Sequence, residues 1–253
     1  MRIAVCGLGR AGKVLARKII DGCVDELCCA ICRDGSPIAN EDVGAVLGMY
    51  QLGIPVIPIS LSAKEMCSRE VEVVIDFSNK GCSLKMAEIC ADIGISMVVC
   101  TTNFEKEEIQ ELERIGVHSP KGMVYAPNLT VGINLLMEFV GRLSKLLPDF
   151  DFEIIERHGK GKQKVTTTAK LIAEQIGREN VPISAVRLGG YVGVHEVTAA
   201  NENERLTIIH ESFTREAFAE GALMAARYIV DKKGYHVMSD VIKELERKLI
   251  GQE

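Results

Sequence analysis

Residues 2–12 read Arg2-Ile3-Ala4-Val5-Cys6-Gly7-Leu8-Gly9-Arg10-Ala11-Gly12, a short apolar run that breaks into Gly-x-Gly-x-x-Gly. A helix-prone stretch, Lys13–Ile20, follows. A strand that turns on glycine into a helix opens a dinucleotide-binding βαβ unit. Gly7 lets the chain turn sharply, Gly9 lets the backbone approach a pyrophosphate, and Gly12 lets the helix lie close on the sheet. The first helical N–H groups then face the phosphates, where the helix dipole favours negative charge. The same spacing also occurs in glycine-rich turns that bind nothing. Its place after a strand and before a helix favours the nucleotide.

Outward from this motif, strands and helices alternate. The candidate strands are Ile3–Cys6, Leu27–Cys32, Val56–Ile57, Val73–Phe77, Ser96–Cys100 and Met123–Ala126. Between them lie helical stretches at Lys13–Ile20, Cys82–Ile93 and Lys106–Gly116, the second marked by Met86, Ile89, Cys90 and Ile93 at helical spacing. This alternation predicts an α/β fold, a Rossmann doubly wound parallel sheet, with ligands beyond the carboxyl ends of the strands. After Asn128 the rhythm changes. A helix over Gly132–Leu147 ends at Pro148, then come a strand (Phe152–Glu156), a polar loop, a helix near Thr168–Arg178 and strands at Ala185–Val192 and Leu206–Glu211. That order predicts a second, α+β domain with an open mixed sheet. The expected division is a dinucleotide-binding domain over 1–127, with a helical C-terminal return over 216–253. A substrate-binding and oligomerisation domain is expected over 128–215.

Composition excludes several classes. With 47 % apolar and 26 % charged residues, the 253-residue chain has the profile of a globular protein. A net charge of −5 leaves no basic excess for nucleic acid. No apolar run approaches the roughly 20 residues of a membrane span. With the first strand at Arg2, no signal peptide is expected and the expected location is cytoplasmic. All nine cysteines fall within the first 100 residues, an odd number that argues against a disulfide framework. Cys29-x-x-Cys32 falls within a strand, where residues three apart face opposite ways, so buried apolar packing is preferred to metal or redox work and no metal is expected.

Two stretches point to ligands. An acidic residue about 20 positions past the glycines usually holds the ribose of NAD, whereas a nearby arginine accommodates the extra phosphate of NADP. Here the second strand ends Cys32-Arg33-Asp34-Gly35. Arg33 suits a phosphate and favours NADPH; Asp34 could serve a ribose, so NADH stays open. The second stretch is Arg157-His158-Gly159-Lys160-Gly161-Lys162-Gln163-Lys164, four cations in eight residues without an acid, followed by Thr166-Thr167-Thr168 at a helix start. Lysines and hydroxyls ahead of a helix N-terminus suit a carboxylate, and a histidine among them can move a proton near neutral pH. A solvated basic hairpin is the plainer alternative. His118, His195, His210 and His236 read as structural.

Several further stretches together resemble the 4-hydroxy-tetrahydrodipicolinate reductase (dihydrodipicolinate reductase) family. They are Val74–Ser78, Val98–Phe104, Ala126–Asn134, Glu153–His158, Val192-Gly193-x-His195 and Arg205–Arg215. The resemblance implies reduction of a cyclic, imine-bearing dicarboxylate with NADH or NADPH in diaminopimelate and lysine biosynthesis, by a homotetramer built through the second domain's sheet. It implies pyrophosphate binding by Gly7, Gly9, Arg10 and Gly12, and a nicotinamide side lined by Phe77, Thr101 and Thr102 with the backbone near Ala126 and Asn128. His158 and Lys162 fall where the family has its catalytic histidine and lysine. Lys160, Thr167 and Thr168 are expected at the substrate carboxylates. The loop departs from the family pattern: Gly159 replaces a second histidine and Lys164 an aspartate, while Cys100 and Asn103 replace glycines of the Gly-Thr-Thr-Gly-Phe segment. Two other readings keep the scaffold, an amine or amino-acid dehydrogenase and a non-catalytic nucleotide-binding homologue.

Overall fold

The computed structural model describes residues 1–161 and 165–250. Its elements run β1 (Arg2–Cys6), α1 (Arg10–Gly22), β2 (Glu26–Cys32), α2 (Val43–Val46), β3 (Val56–Pro58), α3 (Ser62–Ser68) and β4 (Val73–Asp76). Next come α4 (Lys80–Ile93), β5 (Ser96–Val99), α5 (Lys106–His118), β6 (Gly122–Tyr125), α6 (Val131–Leu146) and β7 (Asp151–His158). The remainder is α7 (Thr167–Ile176), β8 (Ile183–Arg187), β9 (Gly193–Ala200), β10 (Arg205–Ser212), α8 (Glu216–Ile229), β11 (Gly234–Val237) and α9 (Met238–Ile250). They form two compact units, Met1–Leu129 with Phe218–Glu253, and Thr130–Ala217. Among the described residues no helix is long and apolar enough to cross a membrane.

The first unit is a seven-stranded sheet in the order β11-β6-β5-β4-β1-β2-β3, parallel throughout. Its strands are apolar on both faces because helices cover both. Ile3, Val5, Val73 and Ile75 pack with Leu15 and Ile19 of α1 and Ala222 and Ala226 of α8. Ala4, Cys6, Val74 and Met97 pack with Met86 of α4 and Leu112 of α5. Strand order reverses between β1 and β4, which fixes the ligand end of the sheet at Gly7 and Phe77. Cys29 joins one core and Cys32 the other, and burial pushes the Cys29 thiol up to about 12, so the pair neither shares an ion nor supplies a thiolate.

The second unit is a four-stranded sheet in the order β10-β9-β7-β8, with β7 and β8 parallel and the other pairs antiparallel. One face carries Phe152, Ile154, Val197 and Ala199 against Ile133, Leu136 and Val140 of α6 and Ile172 and Ile176 of α7. The doubly wound sheet and the mixed second sheet are the expected architecture. Three features of the strands differ from the sequence reading by more than one residue at an element's end. β7 runs on to His158, because Glu156 and His158 continue the inward alternation begun by Phe152 and Ile154. The apolar run Ala185–Val192 is not one strand: β8 ends at Arg187, the chain turns through Gly189 at φ +56°, and β9 begins at Gly193. β11 adds a seventh strand, only four residues long and too short to show a period.

Candidate active site

At the carboxyl end of β1 two of the three glycines, Gly7 and Gly12, are required sterically. Gly7 has φ +88°, and a Cβ there would lie 2.8 Å from the Cα of Ser78. A Cβ on Gly12 would lie 1.8 Å from the carbonyl oxygen of Gly7, so α1 can sit this close to β1 only without a side chain. Gly9 caps α1 without a side-chain hydrogen bond, and nothing lies within 4 Å of where its Cβ would be. Open space over an uncapped helix start, with exposed Arg10 beside it, fits a pyrophosphate.

After β2, Arg33 is exposed in the turn while Asp34 is engaged elsewhere. Its carboxylate accepts from the Ser60 hydroxyl at 2.7 Å and the Ser60 N–H at 3.1 Å, and it lies 3.6 Å from the Lys85 ammonium. The Ser60 hydroxyl, then its N–H, hold that carboxyl below the usual aspartate range. The Asp34 carboxylate is therefore already supplied with donors by Ser60 and with a cation by Lys85.

Across the switch point, Phe77–Lys80 and Cys100–Asn103 line a cavity of about 410 Å³. Asp76, the last residue of β4, is fully buried behind its wall. One carboxylate oxygen accepts from the Ser78 N–H (3.1 Å) and hydroxyl (2.5 Å); the other accepts from the Thr101 hydroxyl (3.0 Å) and from the Ser83 hydroxyl. Asn103 adopts φ +66°, a left-handed conformation that asparagine tolerates, which explains how it stands in for a glycine. Cys100 has no positive φ and needs no glycine. Ala126 donates to the Val99 carbonyl at 2.8 Å, ending β6 beside β5, with Asn128 two residues beyond.

In the second unit a polar cluster forms on the inward face of the sheet. Register places Glu156 opposite His195 and His158 opposite Arg187. Glu156 has no exposure; it accepts from the Arg187 guanidinium at 2.5 Å, from the Thr166 N–H at 3.1 Å and from the Thr166 hydroxyl. Burial alone would raise its carboxyl, but the Thr166 hydroxyl and the Arg187 guanidinium outweigh that and hold it below the usual range. His158 Nδ1 donates to the Val192 carbonyl at 3.0 Å, which directs Nε2 toward Glu156 at 3.8 Å, and the His195 ring lies 5.3 Å away, edge to face. Thr166 also caps α7 by accepting from the Ala169 N–H. Glu156 thus ties the end of β7 to the start of α7 and holds His158 and the Thr167–Thr168 turn in one cluster. Ligand atoms of Glu156, His158 and His195 lie within 4.8 Å of one another, but Arg187 already supplies the positive charge a cation would bring.

The structure corrects the sequence reading at His158, which is a buried residue of β7 and not part of the polar loop expected after Glu156. Lys160 is exposed just beyond it, and Lys162 lies outside the described residues. The sequence reading does not single out Glu156, Arg187, Asp76 or Ser83, and it gives His195 as structural, whereas the structure brings His195 beside Glu156 and His158. The signal that could have found two of them was period two: Glu156 and His158 share a face with Phe152 and Ile154.

The profile described as "Dihydrodipicolinate reductase, N-terminus" matches residues 1–129, and that described as "Dihydrodipicolinate reductase, C-terminus" matches residues 132–242. A 4-hydroxy-tetrahydrodipicolinate reductase of Methanopyrus kandleri is 32 % identical over 92 % of this chain and 93 % of its own. A dipicolinate-bound dihydrodipicolinate reductase from Paenisporosarcina sp. TG-14 superposes with a TM-score of 0.74 at 22 % identity, covering 94 % of this chain and 97 % of the other. An amine dehydrogenase from Mycobacterium smegmatis gives 0.70 at 14 % identity over 95 % of each chain, a likeness of fold.

Proposed function

Since this chain belongs to the dihydrodipicolinate reductase family and is an NAD(P)H-dependent oxidoreductase, we propose that it reduces 4-hydroxy-tetrahydrodipicolinate to tetrahydrodipicolinate in lysine and diaminopimelate biosynthesis. The observation that carries this reading is the Glu156 link, which sets a histidine at the end of β7 beside the start of α7. Thr167 and Thr168, at the N-terminus of α7, bind one carboxylate of the substrate, and Lys160 and Lys162 neutralise the other. Bound reduced nicotinamide supplies the hydride. Loss of the 4-hydroxyl together with a proton from the adjacent ring carbon, as water, leaves a conjugated imine. Hydride addition turns it into an enamine-like anion, and His158 or Lys162 supplies the one proton that converts this anion to the product imine. For His158 the proton is carried on Nε2, because Nδ1 is committed to the Val192 carbonyl. Such a positioned acid contributes ~10²–10⁴-fold.

For the cofactor we favour NADPH over NADH. Asp34 is engaged by Ser60, while Arg33 is presented for a 2′-phosphate. Gly7, Gly9, Arg10 and Gly12 take the pyrophosphate, and Phe77, Thr101, Thr102, Ala126 and Asn128 the nicotinamide side. We also place a homotetramer interface on the sheet face opposite α6 and α7, where Ile155, Val186, Val194 and Ile209 point; Ile209 is 60 % exposed. Sedimentation as a monomer at micromolar concentration would remove that assignment.

The function is tested by following NADPH absorbance with enzymatically generated 4-hydroxy-tetrahydrodipicolinate, beside a panel of amino acids with NADP⁺. Oxidation of NADPH by the dicarboxylate supports the proposal. Turnover confined to amino acids assigns an amine dehydrogenase, and NADPH binding with no turnover assigns a non-catalytic protein.

A further inference from the structure

Asp76 is an unusual group for the place it occupies. It is buried, it ends the strand at the switch point, and its partners are neutral: two serine hydroxyls, a threonine hydroxyl, the Cys6 thiol and one backbone N–H. A carboxylate is an acceptor with about four lone-pair sites, whereas a protonated carboxyl must donate one bond. Two oxygen-bound or nitrogen-bound partners on each carboxylate oxygen, with the Cys6 thiol beside them, can all donate and so suit the ionised form. None of these hydrogen-bond partners carries a positive charge, and no salt bridge to Asp76 is present among the described residues. Burial pushes its carboxyl above the ordinary aspartate value while the Ser78 and Ser83 hydroxyls oppose that. The thiols around it, Cys6, Cys90 and Cys100, are themselves raised by burial and by Asp76, and so add no charge at neutral pH.

A buried carboxylate without a counter-ion is costly even when hydroxyls satisfy it, and its unscreened field acts on whatever binds beside it. Ser78 and Thr101, which hold it, both line the cavity over β4 and β5. In a doubly wound sheet whose ribose-reading turn follows β2, the far half of a dinucleotide lies over that cavity. The nicotinamide ring is neutral when reduced and cationic when oxidised.

We propose that Asp76 is an electrostatic positioning residue: through Ser78 and Thr101 it places a fixed negative charge behind the nicotinamide side, favouring the cationic ring and the positive charge that develops as hydride departs. This rests on the nicotinamide reading of the first unit. A preorganised charge of this kind needs no rearrangement at the moment of reaction. The Ser78, Ser83 and Thr101 hydroxyls have a second effect, since they fix the walls of the cavity to a single carboxylate.

The test is Asp76→Asn, which keeps the shape and removes the charge, with dissociation constants for NADP⁺ and NADPH measured separately by titration. The ratio Kd(NADP⁺)/Kd(NADPH) should rise about tenfold over the wild type, the size expected of one charge acting across a side-chain layer, and kcat should fall more than KM. A variant that weakens both cofactors equally, or neither, overturns the proposal, because a structural role alone moves both alike. If the wild type binds neither cofactor, the nicotinamide reading itself fails, and that outcome is recognised before any variant is made. Should Asp76→Asn not fold, infrared spectra of the wild type decide the matter, with the NADPH form and the NADP⁺ form each compared in H₂O and in D₂O so that a protonated carboxyl shows by its isotope shift. Absence of a protonated buried carboxyl band in both forms supports the proposal; its presence in either overturns it.

Discussion

Replacing Glu156 by glutamine removes one negative charge from the centre of the second unit's polar cluster. The wild-type carboxylate accepts from Arg187 at 2.5 Å and from the Thr166 N–H and hydroxyl, whereas an amide offers a single oxygen. Losing one charge-assisted hydrogen bond costs ~1.5–3 kcal/mol. Stranding the partner of a buried pair costs ~3–5 kcal/mol. The Arg187 side chain is 16 % exposed and keeps one acceptor, so the loss falls between these limits, at ~2–4 kcal/mol. For a chain of this size that corresponds to a fall in Tm of roughly 5–12 °C. The pH dependence has a definite sign. A carboxyl held below its ordinary value of 4.5 contributes stability that is full above that value and is lost as pH falls through the depressed one. Thermal unfolding of both proteins from pH 7.5 to pH 4 should show a large gap at neutral pH that narrows in acid. An equal Tm at pH 7.5, or a gap unchanged at pH 4, would refute the argument that the charge of Glu156 holds β7 to α7.

Three further outcomes are expected. Gly12→Ala puts a methyl 1.8 Å from the Gly7 carbonyl oxygen, so α1 must back off β1; overpacking of ~1–3 kcal/mol should lower Tm, and NADPH binding followed by fluorescence should weaken at least about tenfold. Arg33→Ala should raise KM for NADPH about tenfold while leaving that for NADH nearly unchanged, since only the 2′-phosphate loses its partner; an equal loss with both cofactors would place Arg33 elsewhere. His158→Ala and Lys162→Ala should each lower kcat by ~10²–10⁴ with NADPH affinity intact, and a parallel loss of cofactor binding would remove their assignment as proton donors.

The first unit was legible because its signals are local. Gly7, Gly9 and Gly12 announce a turn, an open approach and a close helix in the chain's own order, and the strands between helices are short apolar runs with clear ends. The second unit was less so. Its central strand, Gly193–Ala200, carries His195, Glu196 and Thr198 and begins on glycine, so no apolar alternation marks it; its register is set by pairing with β7 and β10, which lie far off in sequence. His158 was recognised for its chemistry but placed in a loop, because Arg157 and the lysines that follow mask the alternation Phe152, Ile154, Glu156, His158. Arg187 and Glu156 meet only through parallel pairing across α7, a relation that spacing does not reveal. Asp76 falls at the end of an apolar strand, and nothing local marks it, because the hydroxyls that hold it come from three separate segments.

The account depends on a dianionic ring being held where β7 ends and α7 begins. A crystal structure with NADPH and pyridine-2,6-dicarboxylate, a planar mimic of the substrate, tests this most directly. One carboxylate should accept from the first turn of α7 at Thr167 and Thr168, with the ring beside His158 and the cofactor phosphates over Gly9. An ordered dicarboxylate elsewhere, with the start of α7 bare, would contradict it.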